Sequence, residues 1–240
     1  MKINVQVNAD EAAKVGAKFI AAEAWAAVKA RGRFVMAVSG GNVPWRMFRA
    51  LAAESMPWNA VHVVQVDERV APAGDPDRNL THLEDSLFSH APLLPSQIYP
   101  MPVEEDDLEA AAAKYARQLE EIIGSPPILD LVHLGLGPDG HTASLVPGDP
   151  VVNITDRDVA VTGIYQNRKR MTLTYPILNR ARNILWLVTG AEKKEILHRL
   201  YNGDPSIPAG RIQRDAAVLL ADGAAAGGID LVQTKGELCV

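Results

Sequence analysis

The chain has 240 residues, 48% hydrophobic and 22% charged, with a net charge of −5. That is ordinary globular composition, and an acidic balance with no basic stripe and no DNA or RNA motif argues against nucleic-acid binding. The single cysteine, Cys239, rules out an intramolecular disulfide; no apolar run nears the roughly 20 residues that cross a membrane, and Met1–Val5 lacks a signal-peptide core, so the expectation is a cytoplasmic protein without membrane contact.

Residues 3–7 alternate as a short edge strand. Asn8 and Asp10 are cap residues for a helix over about 10–30, with Val15, Phe19, Ala22 and Ala26 on one face. Residues 34–38 are apolar throughout and read as a buried strand running into Ser39-Gly40-Gly41-Asn42-Val43-Pro44, where Pro44 suits the first turn of a helix over about 44–54. A second buried strand, 61–66, ends in Asp67-Glu68-Arg69; a polar loop and a helix near 79–89 follow. The prolines of 91–103 predict a connector with a short extended piece. Glu104 to Asp107 open a helix to about Ile123, where acidic residues favour the positive end of the helix dipole. Strands are expected at 129–134, 158–164, 170–175, 183–189 and 216–221, with a helix from Gly190 to about Tyr201.

Apolar strands alternating with helices predict an α/β fold, with a mostly parallel sheet covered on both faces. In such sheets ligands bind where the strand order reverses, beyond the carboxyl ends of the strands. The polar and glycine-rich turns 39–44, 67–69 and 135–144 each follow such a strand, so they are expected to converge.

The central stretch is Gly135-Leu136-Gly137-Pro138-Asp139-Gly140-His141-Thr142-Ala143-Ser144. Its glycine spacing formally fits a dinucleotide fingerprint. That motif needs a long helix after the turn, and Pro147 and Pro150 leave room for about two turns at most. Three readings of Asp139 and His141 stand at this point. They are a general acid–base pair in which the carboxylate orients the imidazole, a metal-ligand pair completed by Asp67 and Glu68, or a capped turn with a solvated histidine. Ser39-Gly40-Gly41 is either an anion cradle of bare N–H groups or a tight turn. Arg168, Lys169, Arg170 and Lys193 are either phosphate partners or surface charge. Ser144 lacks the strand–turn–helix elbow of a serine nucleophile.

Taken together, five segments resemble the 6-phosphogluconolactonase family, within the larger group that includes glucosamine-6-phosphate deaminase/isomerase. They are 39–44, 66–70, 135–148, 170–174 and 190–193, in the family's order and spanning nearly the whole chain. The resemblance implies a single α/β domain over 1–240. Its sheet would be Rossmann-like and mostly parallel, with helices on both faces (NagB/RpiA-like), and would need no metal or organic cofactor. It implies hydrolysis of 6-phospho-D-glucono-1,5-lactone, the second step of the oxidative pentose phosphate pathway, by a monomer or small homo-oligomer. By position it makes His141 the catalytic base and Asp139 its orienting partner. Ser39, Gly40, Gly41, Arg170 and Lys193 become the phosphate-binding set, with Asp67 and Arg69 on the sugar side. Arg69 and a loop N–H are the two candidates for stabilising the oxyanion.

The isomerase branch carries Glu where this chain has Val146, and prefers Tyr where it has Arg69; both departures point to the lactonase. Val43 stands where a Thr is common, and Arg78-Asn79 where Ser-Asn is common, so Arg78 is a candidate to reach the phosphate. A non-catalytic sugar-phosphate sensor is the third reading, and the intact Asp139–His141 pair argues against it.

Overall fold

The structure, a computed structural model, describes residues 1–229; Cys239 lies outside the described residues. The elements in order are β1 (Lys2–Gln6), α1 (Ala9–Arg31), β2 (Phe34–Val38), α2 (Asn42–Leu51), β3 (Val61–Gln65), β4 (Asp67–Arg69), α3 (Asn79–Leu83) and β5 (Ile98–Tyr99). They continue with α4 (Leu108–Ile123), β6 (Leu131–Leu134), β7 (Val159–Val161), β8 (Arg170–Leu173), α5 (Tyr175–Arg180), β9 (Asn183–Val188), α6 (Lys194–Tyr201) and β10 (Ala217–Asp222). Among the described residues no helix is long and apolar enough to cross a membrane.

Seven strands form one sheet in the order β1-β10-β9-β6-β2-β3-β5, and every pair is parallel. The apolar strands explain why. Alternation along β2 sends Val35 and Ala37 to one face and Phe34, Met36 and Val38 to the other. Both faces are therefore apolar and both need a cover. The first is covered by α4, α5 and α6 through Tyr115, Leu119, Ile177, Leu178, Leu197 and Leu200. The second is covered by α1 and α2 through Ala17, Ile20, Ala24, Met47 and Phe48. Each fully buried Leu, Ile or Phe contributes roughly 1.5–3 kcal/mol. Helix α1 is bounded as its residues dictate: Asn8 accepts the N–H of Glu11 at 2.9 Å, and Gly32 closes the far end in the left-handed region.

The chain runs outward from β2 to β3 and β5, then returns to β6 beside β2 and continues on the other side through β9 and β10. The loops after β2 and β6 therefore part at the point where the order reverses.

Asp67-Glu68-Arg69 corrects the expectation of a polar turn. These residues are β4, which pairs antiparallel with β8, and β8 with β7, in a separate three-stranded sheet. The chain crosses between sheets at Val66, whose N–H donates to Val38 while its carbonyl accepts from Leu173. Nothing local marks so short a polar strand; its partner, β8, is distant in sequence. The helix expected from Glu104 begins at Leu108, capped by Asp107 through the N–H of Ala110 at 3.0 Å. The helix near 79–89 is α3 continued by a π-type turn over Glu84–Phe88, and α5 was not expected at all.

Candidate active site

A cleft of about 560 Å³ opens over the carboxyl ends of β2 and β6. Ser39, Gly40, Gly41, Asp67, Arg69, His141, Arg170 and Lys193 all line it. The convergence expected from the strand ends is met, and the antiparallel sheet supplies three of these residues.

Asp139 Oδ1 accepts the backbone N–H of His141 at 3.1 Å and the imidazole Nδ1 at 2.5 Å. With the proton on Nδ1, the Nε2 lone pair is bare; the tautomer follows from this bonding. Nε2 has no hydrogen-bond partner among the described residues, and the side chain is 19% exposed, so water can reach it. Burial by itself would raise the Asp139 pKa, but the hydrogen bonds and charge of His141, with a further bond from Tyr165, outweigh it and hold the carboxyl below its usual range. The loop needs glycine at 137: a Cβ there would lie 2.1 Å from Nδ1 and Cε1 of His141. The imidazole packs directly on that backbone.

Opposite lies a turn of bare backbone N–H groups. Gly41 caps α2 without a side-chain bond, and the N–H groups of Gly40, Gly41, Asn42 and Val43 have no acceptor among the described residues. Free N–H groups at a helix N-terminus attract negative charge. Gly40 is required by close approach, since a Cβ would come 2.1 Å from Asn79 Oδ1. Lys193 reaches in from the turn after β9 and donates to the Leu136 carbonyl at 2.8 Å. Burial lowers its pKa, against the raising effect of Glu192 and Asp139.

Register sets the third wall. Antiparallel pairing places Asp67 opposite Thr172 and Arg69 opposite Arg170, with Glu68 and Met171 paired between them. Alternation then puts Asp67, Arg69, Arg170 and Thr172 on one face. Asp67 accepts from Ser144 Oγ at 2.5 Å and lies 4.0 Å from Arg170. Arg170 also donates to Gln166 at 3.0 Å, and burial lowers its pKa despite the Asp67 charge. Arg69 donates to the Asp77 carbonyl.

The family model for glucosamine-6-phosphate isomerases/6-phosphogluconolactonase matches residues 7–220. The chain belongs to this family. A 6-phosphogluconolactonase of Nostoc sp. is 33% identical over 95% of this chain and 98% of its own length. One from Synechocystis sp. is 37% identical over 78% and 80%. The solved 6-phosphogluconolactonase from Trypanosoma cruzi superposes with a TM-score of 0.85 at 25% identity, covering 95% of this chain and 97% of that one.

In this member of the glucosamine-6-phosphate isomerase/6-phosphogluconolactonase family, several residues read from sequence lie elsewhere. Arg78 does not reach the cleft. It is 3% exposed and bonds Glu104 at 2.8 Å, so the position that lines the cleft is Asn79. Arg168 is held by Asp75 and Asp77, each at 3.0 Å. Glu68 is fully buried and accepts the N–H groups of Asn79 and Leu80, capping α3, and so does not join Asp67 toward a metal. Among the described residues no three or more His, Cys, Asp or Glu side chains gather to hold a metal ion. Ser144 is fully buried beneath Asp67, turned inward by Ala143 at φ 52. Arg46, Asn79, Gln166, Glu192 and Asp222 also line the cleft, and sequence reading did not single them out. Asn79 alone carried a signal, the Asn of the pair after the acidic strand.

Proposed function

We propose that the chain hydrolyses 6-phospho-D-glucono-1,5-lactone to 6-phospho-D-gluconate, with His141 as the proton-transfer group. The observation that carries this is the His141 imidazole, fixed at Nδ1 by Asp139 with Nε2 open to a cleft lined by Arg69, Arg170 and Lys193. In this reading the free N–H groups of the 40–43 turn, Arg170 and Lys193 hold the phosphate, while Asp67 and Arg69 face the sugar. Water attacks the lactone carbonyl as Nε2 takes its proton. The tetrahedral adduct then expels the ring oxygen, which receives that proton, and the imidazole returns neutral. The lactone is activated enough to need no covalent nucleophile, and Ser144, the nearby hydroxyl, is buried and engaged.

The isomerase reading needs a second proton-transfer group beside the imidazole. Val146 stands at the position the resemblance gives for it, and it is a buried core residue outside the cleft lining. Turnover of 6-phosphogluconolactone and of glucosamine 6-phosphate by the same purified protein tests the assignment. Acid release from the lactone above its spontaneous rate, with no ammonia from the amino sugar, is expected. The reverse pattern, or binding without turnover of either, would reject it.

A further inference from the structure

Behind the cleft wall stands an aromatic residue, in contact with Asp139, His141 and Arg170, that neither the sequence reading nor the family match assigns. We propose that Tyr165 is a positioning residue for the reaction, its hydroxyl fixing the outer oxygen of Asp139 and its ring seating Arg170. This rests on the reading of His141 as the base.

Asp139 is held unevenly. Oδ1 takes both bonds from His141, whereas Oδ2 accepts only from the Tyr165 hydroxyl, at 3.2 Å, among the described residues. The terminal torsion of a carboxylate is broad. Held at one oxygen, Asp139 can swing and carry the imidazole with it; held at both, its plane is set. The Tyr165 ring meets His141 edge to face, with centroids 5.3 Å apart at 68°. The Arg170 guanidinium lies 5.0 Å from the same ring centroid, within reach of its negative face. One side chain thus touches both the proton-handling pair and a cation of the proposed phosphate set.

The backbone is built to aim it. Tyr165 pairs with Arg168 across a two-residue turn formed by Gln166 at φ 49 and Asn167 at φ 64. Two successive left-handed residues make the tight hairpin turn that usually takes Asn-Gly or Gly-Gly. Gln166 adopts this conformation at a backbone cost, and its side chain bonds Arg170. The hairpin is pinned on both arms: Gly163 N–H donates to Asp149 at 2.8 Å, and Arg168 is clamped by Asp75 and Asp77. This gives Arg168 a use, which is to hold the arm that presents Tyr165.

The charged groups around His141 are Asp139 from its own loop, Arg170 on β8 behind Tyr165, and Lys193 from the turn after β9. Burial and the Asp139 charge raise the Tyr165 pKa, so the hydroxyl stays a donor.

The test is a double-mutant cycle of Tyr165→Phe and His141→Ala with Tyr165→Leu beside it, read as kcat and KM against pH and corrected for spontaneous lactone opening. Y165F is expected to lower kcat about 5- to 10-fold with KM within about twofold. It is also expected to move the acid limb of kcat/KM to higher pH, because Asp139 without its second donor stabilises the imidazolium more. Y165L is expected to add a rise in KM through Arg170. In the H141A background Y165F changes kcat less than about twofold, because the coupling runs through the imidazole. An unaltered rate and pH profile in Y165F overturns the proposal, as does an equal loss in both backgrounds. Near-wild-type H141A overturns the base reading and this proposal together; collapse of H141A beside an unaffected Y165F overturns this proposal alone. Should Y165L fail to give a cooperative melt, Y165F decides.

Discussion

The parallel sheet and the small antiparallel sheet meet at one cleft and bring different kinds of group to it. From β2 and β6 come glycine loops, whose bare N–H groups and tightly packed imidazole depend on backbone approach. From β4 and β8 come side chains in register, Arg69 opposite Arg170 with Asp67 beside them. In the proposed reading the β6 loop places the proton-transfer group, while the β2 turn and the second arrangement hold charge. Lesions in the β6 loop should therefore appear in kcat, and lesions in β4 and β8 in KM.

After His141→Ala, the largest expected effect comes from Gly137→Ala. The added methyl must displace the His141 ring, so kcat should fall on the order of 10²-fold while KM changes little. Steady-state kinetics on the lactone checks this, and a KM effect of comparable size would break the division between the sheets. Next is Arg170→Gln, which removes a charged donor from the cleft wall. KM should rise about 10- to 100-fold, the size expected for lost charge-assisted bonds, with kcat within a few-fold.

A third test concerns stability, and sets the two histidines of the β6 region side by side. His133 on β6 is fully buried, and burial pushes its pKa down to about 3. Its Nδ1 accepts the N–H of Ser39 at 3.4 Å, so it supports the 39–41 turn as a neutral ring. The folded pKa lies below the unfolded one, so between about 6.5 and about 3 the unfolded chain binds the extra proton. Stability is therefore lost as pH falls through that window, by up to about 1.4 kcal/mol per pH unit. Thermal melts against pH should show this slope, and His133→Gln should flatten it whatever its absolute Tm.

His141 differs in kind: its Nδ1 is held by Asp139, whose carboxyl stays below its usual range, and its side chain is open to the cleft. The smallest effect is expected from Lys169→Ala. Lys169 lies next to Arg170 in sequence but outside the cleft lining, so kcat and KM should stay within about twofold.

The sheet was legible because β2 is apolar throughout and β3, β6 and β9 are mostly so, a pattern that a strand buried on both faces requires. The loops were legible because glycine, proline and a spaced Asp-His pair carry local meaning. The antiparallel sheet was not. Asp67-Glu68-Arg69 reads as a solvated turn until β8 pairs with it, and that pairing is a long-range event. The same gap misplaced Arg78, whose charge suggested a ligand but whose surroundings, Glu104 and Glu68, make it structural. Tyr165 was missed because its meaning lies in contacts with Asp139 and Arg170, which no spacing encodes.

The most direct measurement is the kinetics of His141→Ala on 6-phosphogluconolactone, corrected for spontaneous hydrolysis. The account predicts a fall in kcat of about 10²-fold or more with KM close to wild type. Near-wild-type turnover, or a loss confined to KM, would contradict it.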